Sequence, residues 1–230
     1  MRFTARFSDR AEAGRELARE LVKRKLADPV VLALPRGGVP VAVEIARALK
    51  APLDLVLVRK IGVPYQRELA AAAVVDGSDP EVVVNDEVMR LAGLGPDYLA
   101  EQAKAELAEI ERRRHAYLQG RARVPLGGRN LILVDDGIAT GASVRAALAA
   151  LRRKSPASLI LAVPVAPRET LEDLRDKVDE VVCLEVPEPF YAISLHYRDF
   201  HQVPDEEVVR LLRTLQPASE KAASSDPSSA

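Results

Sequence analysis

Apolar positions follow two rhythms along this chain. Short runs rich in β-branched residues, VVLAL (30–34), LDLVLV (53–58), EVVV (81–84), NLILV (130–134), SLILAV (158–163) and EVVCLEV (180–186), predict strands. Between them, AEAGRELARELVKRKL (11–26), PVAVEIARALK (40–50), ASVRAALAALRRK (142–154) and RETLEDLRDK (168–177) repeat apolar residues every three or four positions, the period of a helix with one buried face. Asp9 with Glu12 three residues later predicts the start of the first helix. The longest helical pattern, residues 96–120, stands between strands as an insertion (about 86–120), and Leu99, Ala103, Leu107 and Ile110 share its face, which is expected to pack on the sheet domain or on a partner. Alternation of strand and helix predicts an α/β protein with a largely parallel sheet. One domain over 1–216 is expected, followed by a Ser/Ala/Pro-rich tail, 217–230, whose composition predicts disorder.

Composition narrows the class. The 230 residues suffice for one sizeable core, and 33 Lys+Arg against 34 Asp+Glu leave a net charge of -1, which gives no global attraction to nucleic acid or an anionic membrane. The single cysteine, Cys183, lies in an apolar run and reads as a small buried hydrophobe rather than half of a disulfide. No signal-peptide core or membrane-length apolar run is present, so a cytoplasmic protein is expected. His115, His196 and His201 are not spaced as a metal site.

The chemistry concentrates in LILVDDGIATGAS (131–143). An apolar strand delivers Asp135 and Asp136 to its carboxyl end, where ligands of open α/β sheets bind, and a loop of small and hydroxylated residues leads into a helix. Gly137, Ala139, Thr140, Gly141, Ala142 and Ser143 would offer N–H groups and hydroxyls to a phosphate, with the helix N-terminus behind them. Carboxylates beside a phosphate cradle suit a ligand with vicinal hydroxyls and a phosphate on one small ring, such as ribose 5-phosphate. A Walker A loop is excluded because Ala142 follows Gly141 where Lys would be needed, and GIATGA does not supply G-x-G-x-x-G. The bland alternative is a strand end with two solvated acids and Thr140 or Ser143 as an N-cap.

This stretch resembles the phosphoribosyl pyrophosphate (PRPP) signature of the type I phosphoribosyltransferases. The loop LALPRGGVPVAVEIARAL (32–49), with Arg36, Gly37 and Gly38 at its turn, is similar to that family's pyrophosphate loop, which often carries a cis peptide near its basic residue; here that would be Pro35–Arg36. LVRKIGVPYQRELAAAAV (57–74), with Arg59 and Lys60, looks like the family's flap, and Glu68 is a further candidate on it. The resemblance covers roughly residues 28–165 and implies a Rossmann-like type I phosphoribosyltransferase fold. It also implies an enzyme in which Asp135 and Asp136 orient the ribose while Arg36, Gly37, Gly38, Arg59, Lys60 and Mg²⁺ stabilise the departing pyrophosphate, the metal arriving with PRPP and meeting Asp135 and Asp136 indirectly. The partners implied are PRPP and a small heterocyclic acceptor, with a homodimer compatible and no membrane. In 6-oxopurine members the residue before Thr-Gly is commonly an aspartate; Ala139 stands there and points toward the adenine, orotate or uracil type.

The rival expectation is a PRPP- or nucleotide-sensing regulator that binds a nucleic acid or protein through Arg112, Arg113, Arg114, Arg121 and Arg123. The neighbouring acids Glu106, Glu109 and Glu111 argue instead for an ordinary solvated helix face. Phe190, Tyr191, Tyr197 and Phe200 are expected chiefly to anchor the C-terminal segment, with stacking on a flat heterocycle as the alternative.

Overall fold

The structure is a computed structural model that describes residues 5–77 and 80–215, with the backbone alone at 67 and 68. The expected tail at 217–230 and the side chain of Glu68 lie outside the described residues.

Five parallel strands form the main sheet in the order β2-β1-β6-β7-β8: β1 (Pro29–Ala33), β2 (Leu53–Leu55), β6 (Asn130–Val134), β7 (Ser158–Val165) and β8 (Glu180–Glu185). Alternate residues of each central strand face opposite cores. Val31, Ala33, Ile132 and Val134 pack toward α1 (Arg10–Val22), α2 (Gly38–Leu49) and α7 (Asp205–Arg213). Val30, Leu32, Leu131 and Leu133 pack toward α5 (Ala142–Arg153) and α6 (Arg168–Leu174). Burial on both faces is why these strands read as continuous apolar runs. Asp9 caps α1, its carboxylate accepting the Glu12 N–H at 2.7 Å, while Glu12 reaches back to the Ser8 N–H as the pair predicted. The close packing of α1 on α2 requires Gly14, where a Cβ would fall 2.6 Å from the Val41 carbonyl oxygen.

The segment between β2 and β6 departs from the strand pattern expected. EVVV is β5 (Glu81–Val84), and it belongs to a separate antiparallel sheet, β3-β4-β5, with β3 (Val58–Val63) and β4 (Gln66–Val75). β3 and β4 are the flap-like stretch folded as a hairpin. Its alanines and charges carry no clean alternation, so strand pairing rather than propensity sets its conformation. The insertion is two helices, α3 (Asp86–Leu91) and α4 (Pro96–Leu118). Ala103 and Ile110 are buried, and Leu99 and Leu107 pack beside them on the chain's own core, which settles the face left open between domain and partner. No described helix is long and apolar enough to cross a membrane.

Candidate functional site

Chain order fixes where the site can form. From β1 the chain turns to β2 on one side and later returns to place β6 on the other, so the crevice between the carboxyl ends of β1 and β6 is a topological switch point. The strands are in register to their ends, Ala33 opposite Val134, and the Leu34 N–H donates to the Val134 carbonyl at 2.9 Å. The loops carrying Arg36–Gly38 and Asp135–Ser143 therefore leave the sheet side by side.

Their approach is close enough to demand glycine. A Cβ on Gly37 would lie 2.1 Å from Asp136 Oδ2, and one on Gly38 would lie 2.7 Å from the Val134 carbonyl oxygen and 3.0 Å from Asp135 Cα. Gly37 has an ordinary helical φ of -59°, so contact rather than backbone conformation excludes a side chain. The Pro35–Arg36 peptide is cis, as the loop resemblance implied. Gly37→Ala is expected to lower stability by about 1–3 kcal/mol through overpacking, followed by thermal denaturation; a parental melting temperature would show that the two loops can part without cost.

The two acids have different surroundings. Asp136 is buried, and its Oδ2 accepts the Arg10 Nε–H at 2.7 Å. Arg10 also donates to the His201 carbonyl at 2.9 Å, and its guanidinium lies 3.9 Å from the Phe200 ring centroid. The Tyr197 hydroxyl donates to the Asp136 carbonyl at 2.6 Å. Asp135 accepts the Asp136 N–H at 2.9 Å and lines the crevice. Burial pushes the Asp135 carboxyl well above the usual carboxylate range, and the Asp136 charge pushes it further. Burial also raises Asp136, against the opposing pull of Arg10.

Beyond the acids, residues 137–144 surround a cavity of about 150 Å³ that Lys60 of β3 also lines. Gly141 takes a left-handed φ of +71° directly before α5, turning the chain so that the N-terminus of the helix faces the cavity; Ala142 and Ser143 are partly buried, and Ala139 and Thr140 are exposed. The Ile138 N–H bonds the Val165 carbonyl at 2.9 Å, and the Thr170 hydroxyl bonds the Ala139 carbonyl at 2.8 Å, so β7 and α6 hold the loop in shape. A Cβ on Gly137 would meet Ile193 at 2.6 Å. A neighbouring cavity of about 110 Å³ joins Asp135 and Ser143 to Pro35, Arg59 and Arg113. The two cavities share Asp135 and Ser143, so Lys60, Arg59, Pro35 and the 137–143 loop gather around one acid, while Gly37 and Gly38 line neither cavity. Arg36 lines neither cavity and has Nη1 3.5 Å from Asp205 Oδ1, and Asp205 also accepts the Tyr117 hydroxyl at 2.9 Å. Arg59 is paired with Glu106 at 2.7 Å.

Arg10 and Tyr197 were missed by sequence reasoning as parts of the site. Their only signals were a charged residue opening an amphipathic helix and an aromatic among polar neighbours. The C-terminal aromatics do anchor their segment: Tyr197 packs between Phe7 and Phe200, with ring centroids at 5.4 and 5.0 Å. Tyr191 is exposed.

The arginines that supported a nucleic-acid partner do not form a stripe. Arg112 and Arg113 bind Glu109 on their own helix, Arg114 is buried against Asp54 and Asp76, and Arg123 binds Asp76 and Glu111. Cys183 is partly buried, its thiol pushed up to about 11 by burial, in keeping with a packing role. No group of three or more His, Cys, Asp or Glu among the described residues could hold a metal by itself.

The phosphoribosyl transferase domain family matches residues 7–198. The Mycobacterium tuberculosis protein Rv0571c, provisionally named a phosphoribosyl transferase, is 45% identical over 206 residues; the match covers 90% of this chain and 46% of that protein, so the chain spans about half the length of the curated relatives it matches. The crystal structure of TT1426 from Thermus thermophilus superposes with a TM-score of 0.80 at 42% identity, covering 92% of this chain and all of the other.

Proposed function

The chain belongs to the phosphoribosyl transferase family, and from that premise we propose that it transfers ribose 5-phosphate from PRPP to a nitrogen of a small heterocycle, releasing pyrophosphate. The observation that carries the reading is the contact between the two loops, where glycines let backbone amides approach within van der Waals distance of the acid pair. In this reading the 137–143 loop holds the 5-phosphate through its amides, Thr140 and Ser143, assisted by the N-terminus of α5. Asp135 faces the ribose, accepting from its hydroxyls and favouring positive charge at C1 as the bond to pyrophosphate lengthens. Asp136 contributes by holding Asp135 and the Gly37 turn in place, since its own carboxylate is committed to Arg10. The Gly37 and Gly38 amides, Arg36 and Lys60 meet the leaving pyrophosphate, and Arg59 closes the β2 side.

The donor set fits Mg²⁺ only as a metal shared with the substrate. With Asp136 engaged by Arg10, Asp135 is the acid available, and a hard divalent cation completing its shell from pyrophosphate oxygens suits so sparse a protein contribution. When bound, the metal would neutralise charge on the leaving pyrophosphate.

Pyrophosphate release from PRPP and Mg²⁺ with a panel of bases tests the proposal, with PRPP affinity measured in parallel by calorimetry. Failure to bind PRPP would overturn it. The panel also carries a specificity prediction. The Ala139 side chain can neither exchange a proton with a purine nor accept a hydrogen bond, so hypoxanthine and guanine are expected to turn over poorly beside a preferred acceptor. Efficient conversion of either to its nucleotide would show that another group supplies that proton acceptor.

A further inference from the structure

A second cavity, of about 370 Å³, lies away from the phosphate loop, between the 124–127 segment, the last turn of α5 and the β2 edge of the main sheet. Its walls are apolar: Leu32, Val56, Val75, Leu126, Ala150 and Leu151. A volume of this size with apolar walls and its polar groups gathered on one side is the usual form of a small-molecule site rather than a packing defect.

The polar part is a buried charge cluster on one side. Arg114 bridges Asp54 at 2.9 Å and Asp76 at 2.9 Å, and Asp76 also receives Arg123 at 2.9 Å. The carboxylate oxygens are already accepting: Asp54 from the Leu55 and Val124 N–H groups, and Asp76 from the Leu57 N–H, besides the guanidiniums. Lys154 also lines the cavity and is paired with Glu81 at 3.2 Å. Arg123 differs from the other cations. Its Nη2 is spent on Glu111, at 3.1 Å to a side chain that is 62% exposed, a solvent-screened surface pair easily exchanged for a better partner. Asp54 and Asp76 line the same side, so the charge cluster is largely self-neutralised, and Arg123 is its one exchangeable cation, which fits one chemistry.

We propose that this cavity binds a small amphiphilic anion, an aromatic or alicyclic body carrying a carboxylate or sulfonate, with the body between Leu32, Val75 and Leu151 and the anionic group on Arg123. The site is separate from the phosphate crevice but not isolated from it. Val56 lines both this cavity and the one that holds Asp135 and Arg59, and Leu32 lies on the strand that leads to the Arg36 loop. Occupancy can therefore alter the crevice through β1 and β2.

The test uses 8-anilinonaphthalene-1-sulfonate, with neutral N-phenyl-1-naphthylamine as the uncharged control, added to the full chain and followed by fluorescence. One saturable site per chain is expected, retained when PRPP is saturating. Arg123→Gln is expected to weaken the sulfonate about tenfold, equivalent to about 1.4 kcal/mol, while leaving the neutral probe unchanged. Ala150→Leu, which fills the cavity with an apolar side chain, is expected to abolish both while the melting temperature holds or rises. Absence of saturable binding, displacement of the probe one-for-one by PRPP, or parental affinity in both folded variants would each overturn the proposal. Because PRPP affinity is read separately, loss of the phosphoribosyl reading would leave this inference standing.

Discussion

Arg10→Met is expected to cost about 3–5 kcal/mol of stability, since it leaves a buried carboxylate without its partner. Asp136 accepts from Arg10 where both side chains are about nine-tenths covered, 8% and 13% exposed. Methionine fills much of the space but cannot donate to Asp136 or to the His201 carbonyl, and the contact over Phe200 loses its charge. The Asp136 carboxyl, already raised by burial, rises further without Arg10, so the variant should regain stability as pH falls and that carboxyl takes a proton. Urea denaturation at neutral and acidic pH checks this. Adding Asp136→Asn should recover much of the loss, because the two side chains form one unit and their effects are not additive. A parental midpoint for Arg10→Met would mean that the ion pair contributes nothing net.

Asp135→Asn should separate stability from activity. Its carboxyl titrates above the usual range in the fold, so the stability it contributes is fully present below the unfolded value of about 3.9 and is lost as pH rises through the folded one. The amide does not titrate, so the variant should gain on the parent as pH rises from acid to neutral and melt higher there, with the advantage vanishing in acid. Asparagine can still accept the Asp136 N–H, so the loop keeps its shape. Turnover should fall about 10²–10³-fold, the scale of losing one group aimed at developing charge. A variant both more stable and fully active would remove Asp135 from the ribose.

Most of the main sheet was legible because burial on both faces turns a parallel strand into a contiguous apolar word. The glycine loops were legible for a different reason: a Cβ would fall 2.1 Å from Asp136 Oδ2 at Gly37, and at Gly141, where φ is +71°, it would be both strained and 2.9 Å from Thr170 Cγ2, so their identity records their geometry. Four elements escaped. β3 and β4 mix charges with a run of alanines, and their conformation comes from pairing with one another, including the register shifts around Gly62. α3 has six residues, too few to show a period. α7 places Val208 and Leu212 in the core from a segment read chiefly for its aromatics. The different surroundings of Asp135 and Asp136 were beyond any local pattern, because Arg10 is distant in sequence and only the tertiary fold brings it to one acid and not the other.

That distance has a consequence for biosynthesis. Arg10, Gly37, Asp136 and Tyr197 come from the first helix, the loop after the first strand, the middle of the chain and its last third, yet they meet around Asp136. No contiguous fragment holds the site, and its contacts have the high sequence separation that makes folding slow. A nascent chain that has emerged through α2 presents its Arg36–Gly38 loop to open solvent, and one that has emerged through β6 still lacks the tyrosine whose hydroxyl holds the Asp136 carbonyl. The site is therefore assembled late on the ribosome, only after the last third of this domain has emerged.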